Sequence, residues 1–424
     1  MRRDAAEPAL ARRLRRAVHR RPELAHREHR TAAYVERVLR LFGLRPFRPA
    51  PTSVAVVAGD PARRPRAGFR ADLDALAVTE TTTVPYASRV PGVMHACGHD
   101  GHTAALLLLA RRLARAAPWG GSALLVFQQG EEAHPSGAPR VLRGLPPAVL
   151  PDEFYAVHLW PELPAGVIGV REGPLLASVA GLTFHVTGRE GRAHGTRSES
   201  GGVNAVAAAV RLYTVLTSDP TGREVGAGQG LALGRIEGGE HPNRVPLRCE
   251  LRGTLRALTF REQESAVRRI REVAAAVADE TGAAVEVLVE AGIRPPVENA
   301  PEAARRALMA CRATGTPHKR YPDGPLGVSD DFGWFLQDRP GALLLLGCGN
   351  GPQPPDLHTS AFDFDEEVLL SAVDVFDALA RPGTANDDEV DDGDRRTRLD
   401  VPAHRGTRPQ SGDRGLRRAA GSPG

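Results

Sequence analysis

The stretch Met94-His95-Ala96-Cys97-Gly98-His99-Asp100-Gly101-His102 gathers three histidines, a cysteine and an aspartate within nine residues. It lies between a turn, Pro91-Gly92, and an apolar run over residues 103–113 whose spacing predicts a helix. Cysteine and histidine bind borderline metals as thiolate and neutral imidazole. The two glycines let the backbone turn tightly enough for several side chains to face one point. The stretch therefore predicts Cys97 and His99 as metal ligands; the alternative is a capped helix start with solvated histidines. The choice depends on what the rest of the chain brings to the same place.

In chain order, a helical pattern covers residues 8–42 with an interruption at Arg21-Pro22-Glu23, followed by strands over 53–59 and 67–73. The second strand runs into Arg70-Ala71-Asp72-Leu73-Asp74-Ala75-Leu76, where acids end an apolar segment. Residues 122–127 form a near-continuous apolar run of the kind a buried parallel strand shows, and it leads to Gln128-Gln129-Gly130-Glu131-Glu132. Adjacent glutamates are ordinary on exposed helices, but these follow the carboxyl end of a buried strand, where α/β sheets place their ligands. Residues 154–158 make a short apolar strand ending on His158, and residues 342–346 lead through a glycine-rich turn to His358. Four strand ends thus deliver acids or histidines, and the loop at Cys97 adds two more candidate ligands.

Residues 179–295 read differently. Strand 182–187, helix 203–217, strands 230–236 and 247–256, helix 261–280 and strand 284–290 follow the β-α-β-β-α-β order of a ferredoxin-like domain. Only His194 in this block resembles a ligand. The expected architecture is a larger α/β domain, residues 1–178 and 296–382, interrupted by this small α+β domain, whose helices and open sheet edge suit dimerisation. Residues 383–424, poor in apolar side chains and alternating in charge, are expected to be disordered.

Composition excludes several classes. No apolar run approaches the roughly 20 residues of a membrane span. The Arg-rich N-terminus lacks a signal core, and the four cysteines are far apart with no CxxC pair, which points to a reducing, cytoplasmic setting. The net charge is +4, yet Lys319 is the only lysine, arginines are scattered, and aromatics are 5% of residues. No basic groove for nucleic acid is expected.

The chain resembles the metal-dependent amidohydrolases of the aminoacylase and carboxypeptidase type, in the branch of hippurate and indole-acetyl-amino-acid hydrolases. The resemblance spans residues 19–379. It is carried by His19-x-x-Pro22-Glu23-Leu24, the Arg70–Leu76 and Pro91–His102 segments, Glu131-Glu132, Gly191-Arg-Ala-His194, Asn243-Arg-Val-Pro246, Gly253-Thr-Leu-Arg256, Ser329-Asp-Asp-Phe332 and Leu357-His358. It implies a two-metal hydrolase domain with a central mixed sheet flanked by helices, and an inserted dimerisation or lid domain. Cys97, His99, Glu132, His158 and His358 would be the ligands of two zinc or manganese ions, with Cys97 bridging. One thiolate and one carboxylate leave two divalent cations net positive, which favours a hydroxide and an anionic substrate.

Glu131 would be the general base acting on a metal-activated water, and Asp74 the acid that orients a ligand histidine. His102 and Asp100 would hold the loop. His194 would stabilise the oxyanion, reaching into the partner subunit, while Asn243 and Arg256 would bind the substrate carbonyl and α-carboxylate. The implied activity is hydrolysis of N-acyl-amino acids, with a metallo-dipeptidase or aminopeptidase and a catalytically silent scaffold as rivals. A peptidase would need an acid in the pocket to hold a free α-amino group. The chain departs from the family pattern at Gln128-Gln129-Gly130 (usually Gln-Pro-Ala), at Asp330 (usually Glu) and at Asn204 (usually Asp). These positions bear on pocket shape rather than on the ligands.

Overall fold

An apolar strand such as Ser122–Gln128 needs cover on both faces, and its alternation divides the cover: Leu125 and Phe127 enter one core, Leu124 and Val126 another. The structure is a computed structural model that describes residues 4–60, 62–116, 119–191, 201–218, 230–241, 243–290, 294–349, 351 and 354–381. Seven strands form the central sheet, in the order Val54–Gly59, Ser122–Gln128, Ala67–Asp72, Glu153–Pro164, Gly341–Gly349, Ile168–Val170 and His318–Arg320. The four strands from Ser122–Gln128 to Gly341–Gly349 run parallel. Val54–Gly59 pairs antiparallel with Ser122–Gln128 and Ile168–Val170 antiparallel with Gly341–Gly349, while the edge strand His318–Arg320 is parallel to Ile168–Val170, so the sheet is mixed.

Helix His99–Ala116 is buried on nearly every side, with Leu106, Leu107, Leu108 and Leu109 fully enclosed. It packs with helices Glu7–His19, His29–Leu41 and Leu369–Ala380 on one face of the sheet. Phe69, Tyr155 and Phe376 fill the space between, with Phe69 4.8 Å from Phe376 by ring centroid. The helix starts at His99, earlier than the apolar run predicts. Asp100 lies in its first turn, where a carboxylate complements the positive end of the helix dipole. The pattern over residues 8–42 resolves into two helices. The segment between them carries Pro22 and bridges the loop beyond the Ala67–Asp72 strand at Leu24–Ala75.

The inserted domain has the strand order Ala284–Val289, Ala180–Thr187, Arg248–Arg256, Gly230–Gly238, all antiparallel, as the β-α-β-β-α-β reading requires. Helices Ala205–Thr217 and Phe260–Thr281 cover one face through Leu212, Ile270 and Val273. Asn204 caps the first helix, its side chain accepting from Ala207 N at 3.0 Å, a role asparagine and aspartate fill equally. Thr259 and Glu262 form a capping box on the second, and Gly282 closes it at φ +71°. Among the described residues no helix is long and apolar enough to cross a membrane. The segment expected to be disordered, 383–424, lies outside the described residues.

Candidate metal centre

The carboxyl ends of the parallel strands and the loop at Cys97 meet at one place. Two groups of potential ligands share the Cys97 sulfur: Cys97 with His99 and His158, and Cys97 with Glu132 and His358. Within each group the ligand atoms lie within 4.8 Å of one another. His158 Nε2 is 3.4 Å and His358 Nε2 3.2 Å from Cys97 Sγ, and His358 Nε2 is 3.1 Å from Glu132 Oε1. Backbone conformations hold these positions open. Gly98 stands at φ +85°, and a Cβ there would lie 2.5 Å from Leu159 Cδ1. His358 adopts φ +64°, a region that costs a non-glycine residue about 1–3 kcal/mol and that clusters at functional sites.

The hydrogen bonds decide which ring nitrogens are free. His99 Nδ1 donates to the Asp74 carbonyl at 2.9 Å and His158 Nδ1 to the Leu159 carbonyl at 2.8 Å, so each ring presents Nε2 as a lone pair. His99 Nε2 is buried and has no hydrogen-bond partner among the described residues. His102 differs: its Nε2 accepts from Leu159 N at 3.0 Å, so Nδ1 carries the proton and donates to Asp72 Oδ1 at 2.7 Å. Both nitrogens are committed, and His102 holds the loop rather than offering a ligand. Asp100 is likewise consumed, accepting from Arg15 Nε at 2.9 Å and from His19 Nδ1 at 2.8 Å. The sulfur, imidazole and carboxylate donors, with a buried unpartnered Nε2, fit divalent ions of borderline softness.

Glu131 and Glu132 diverge from a loop pinned residue by residue. Gln129 N donates to Ser53 Oγ at 3.0 Å, Gly130 N to Glu28 Oε1 at 2.7 Å and Glu132 N to Asp74 Oδ2 at 2.8 Å. The unusual Gln129-Gly130 pair is put to use here. Gln129 supplies an N–H that proline lacks, and Gly130, at φ +62°, leaves room for the His26 ring, which would sit 2.4 Å from a Cβ. Burial would raise Glu132, but the hydrogen bond from His358 and the charges of His99 and His358 outweigh it and hold the group at about 2. Burial pushes Glu131 well above the usual carboxylate range; Arg294 opposes, while Asp330, Glu132 and Asp331 add to the rise. Burial likewise raises the Cys97 thiol.

Beneath the glutamates, Arg70 is fully buried on its strand and donates to Asp72 Oδ2 and Asp331 Oδ1, both at 2.6 Å, and to Gln128 Oε1 at 2.9 Å. A cavity of about 250 Å³ opens above, lined by Cys97, Glu131, Glu132, His158, Arg294 and Asp330 on its polar side. Trp160, Leu176, Val328, Leu345 and Leu357 form its apolar side. Asp330 is 3% exposed, and its Oδ2 has no hydrogen-bond partner among the described residues.

The structure thus brings together Cys97, His99, Glu131, Glu132, His158 and His358, with Asp74 beside them. Asp74 meets His99 mainly through its backbone carbonyl, its Oδ1 standing 3.3 Å away. His194 lies outside the described residues. Asn243 and Arg256 are exposed on the inserted domain and are not among the residues lining the cavity; Arg256 donates to the Gly327 carbonyl at 2.6 Å. Arg294, Trp160 and the Arg70 cluster were not singled out as site residues by the sequence. Arg70 and Asp72 stood in a motif whose strand pattern hid their role, and Arg294 carried no signal.

Comparison with known proteins follows the same lines. The sequence model described as Peptidase family M20/M25/M40 matches residues 68–381. An N-acetyldiaminopimelate deacetylase of Pediococcus pentosaceus is 32% identical over 378 residues, covering 87% of this chain and 96% of that protein. One from Leuconostoc mesenteroides is 33% identical over 367 residues, covering 84% and 92%. Among solved structures, the Bacillus subtilis YXEP protein, described as a dinuclear metal binding peptidase from the M20 family, superposes with a TM-score of 0.74. It is 29% identical, covering 89% of this chain and 98% of that one.

Proposed function

We infer, for a chain that belongs to peptidase family M20/M25/M40, a metal-dependent amidohydrolase that cleaves the amide bond of an N-acyl-amino acid. The observation that carries this reading is the pair of ligand groups sharing Cys97 Sγ, with a second carboxylate, Glu131, beside them and outside both. Cys97, His99 and His158 would hold one divalent ion and Cys97, Glu132 and His358 the other. Zinc suits the sulfur and imidazole donors, and manganese also takes mixed imidazole and carboxylate sites. When bound, such ions supply the Lewis acidity that polarises an amide carbonyl and acidifies water.

In this reading Glu131 takes the proton from the attacking water and delivers it to the leaving nitrogen. Asp74 fixes both neighbours, accepting from the Glu132 amide and receiving His99 at its carbonyl. Outer contacts of this kind set ligand orientation. The apolar wall of Trp160, Leu176, Val328, Leu345 and Leu357 receives the apolar part of the substrate. From the inserted domain His194 acts on the oxyanion in the partner subunit's site, and Asn243 and Arg256, which do not line this chain's own cavity, act on the substrate carbonyl and α-carboxylate. That domain also pairs two copies, offering the exposed side chains Val210 and Tyr213 of its first helix and Ile236 of its edge strand Gly230–Gly238 as the contact.

The acyl group is read as acetyl or benzoyl. The Pediococcus pentosaceus and Leuconostoc mesenteroides relatives are N-acetyldiaminopimelate deacetylases, while the sequence resemblance points to hippurate. A dipeptidase reading has one observation in its favour, the unpartnered Asp330 Oδ2 in the cavity, which could hold a free α-amino group. Hydrolysis of N-acetyl- and N-benzoyl-amino acids, N-acetyldiaminopimelate and dipeptides, measured with wild type and Asp330→Asn, separates the two. The amidohydrolase reading expects acyl-amino acids to be cleaved and Asp330→Asn to cleave them still. Dipeptides preferred by wild type and lost in Asp330→Asn would replace it with the peptidase.

A further inference from the structure

The chain leaves for the inserted domain at Val179 and is back at Arg294, and these two residues are bonded to each other. Arg294 N donates to Val179 O and Val179 N to Arg294 O, each at 2.9 Å. The side chain of Arg294 turns from this junction into the cavity and is 8% exposed. One terminal nitrogen stands 3.1 Å from Glu131 Oε1, and the other donates to the Glu131 backbone carbonyl. The guanidinium therefore grips Glu131 at two points, carboxylate and main chain.

The surroundings explain why Glu131 needs such a grip. Oxygens of Glu131, Asp330 and Asp331 lie within 4.8 Å of one another, and Glu132 adjoins in sequence. Four carboxylates in a buried space repel, and nothing in that repulsion favours one orientation of Glu131 over another. Arg70 neutralises Asp331 at 2.6 Å and lies 3.3 Å from Asp330. Glu132 is drawn to His358. Among the described residues lining the cavity, Arg294 is the only lysine or arginine, and its charge falls to Glu131. Asp331 N adds a weaker contact, donating to Glu131 Oε1 at 3.3 Å.

We propose that Arg294 is a positioning residue, which from the junction of the inserted domain holds the Glu131 carboxylate in the orientation that transfers the proton. The proposal rests on the reading of Glu131 as the base. A planar fork suits two-point contact better than an ammonium, and a misplacement of about 1 Å at a reacting group can cost about 100-fold in rate.

The test is a double-mutant cycle on the metal-loaded enzyme with an N-acetyl-amino acid, using Arg294→Met, Glu131→Gln and the pair, with Arg294→Lys alongside. Arg294→Met is expected to lower kcat about 10–100-fold with KM within about 3-fold of wild type. In the Glu131→Gln background it should change kcat less than about 3-fold, because the group it positions is already gone. Arg294→Lys, which keeps the charge and is the variant most able to fold, should fall between wild type and Arg294→Met. Equal losses in both backgrounds would make Arg294 a purely structural pin, and an effect on KM alone would make it a substrate contact; either overturns the proposal. Full activity in Glu131→Gln would instead overturn the reading of the base, whatever Arg294 does.

Discussion

Glu131→Gln is expected to lower kcat for an N-acyl-amino acid by about 10²–10⁴-fold while KM changes little and the ion content stays the same. Glutamine keeps the shape of glutamate and can still face Arg294, but its amide cannot accept a proton from water at neutral pH. Glu132, not Glu131, contacts His358 and shares the ligand group with Cys97, so the change leaves both ligand groups intact. The loop is pinned through Gln129, Gly130 and Glu132 amides, none of which the substitution touches. Steady-state kinetics together with metal analysis of the purified variant check this. A kcat within a few-fold of wild type, with ions bound, would remove Glu131 from the proton path. A large loss accompanied by loss of metal would make it a ligand.

The second large effect concerns stability. Arg70→Leu removes the cation from a fully buried cluster and leaves Asp72, Asp330 and Asp331 facing one another without it. Breaking a buried charge pair by deleting one partner typically costs about 3–5 kcal/mol, because the remaining charge is desolvated and uncompensated. Burial already raises Asp331 to about 6, with Arg70 the opposing influence and Asp330 adding to the rise. Asp331 also accepts from Gln128 Nε2 at 2.8 Å and from Ala138 N at 3.2 Å; without the guanidinium it is expected to take up a proton and these bonds to rearrange. Urea unfolding of wild type, Arg70→Leu and the Arg70→Leu/Asp331→Asn pair measures this. The single change should cost about 3–5 kcal/mol and the second recover part of it by relieving like-charge repulsion. A cost below about 1 kcal/mol would mean that the cluster is wetter and less dependent on Arg70 than its burial implies.

Much of this arrangement can be read from the chain, for identifiable reasons. The apolar run at residues 122–127 has no polar alternation, so it had to be a strand covered on both faces, and a strand end places Glu131 and Glu132 at the rim of the sheet. The 3.6- and 2-residue periodicities between Ala180 and Val289 are clean enough to give element order, and order alone selects strand neighbours. Spacing cannot say which ring nitrogen is free. His99 and His102 look equivalent in the motif, and only the Leu159 amide, delivered by a distant strand, commits His102 on both sides. Arg70 reads as an interruption of an apolar strand, since its partners Asp330 and Asp331 arrive from far along the chain. Arg294 is legible only once the two connections of the inserted domain are seen to lie together. The roles expected of Asn243 and Arg256 rest on motif similarity; both stand exposed on the inserted domain.

The claim on which the rest depends is that one sulfur organises two ions for amide hydrolysis. Metal-free protein titrated with zinc or manganese, with hydrolysis of an N-acetyl-amino acid followed at each addition, tests it most directly. The account predicts no turnover without metal, a rise that reaches its plateau at two ions per chain, and failure of Cys97→Ala to reach that plateau. Turnover by the metal-free protein, or a plateau at one ion that Cys97→Ala reproduces, would contradict it.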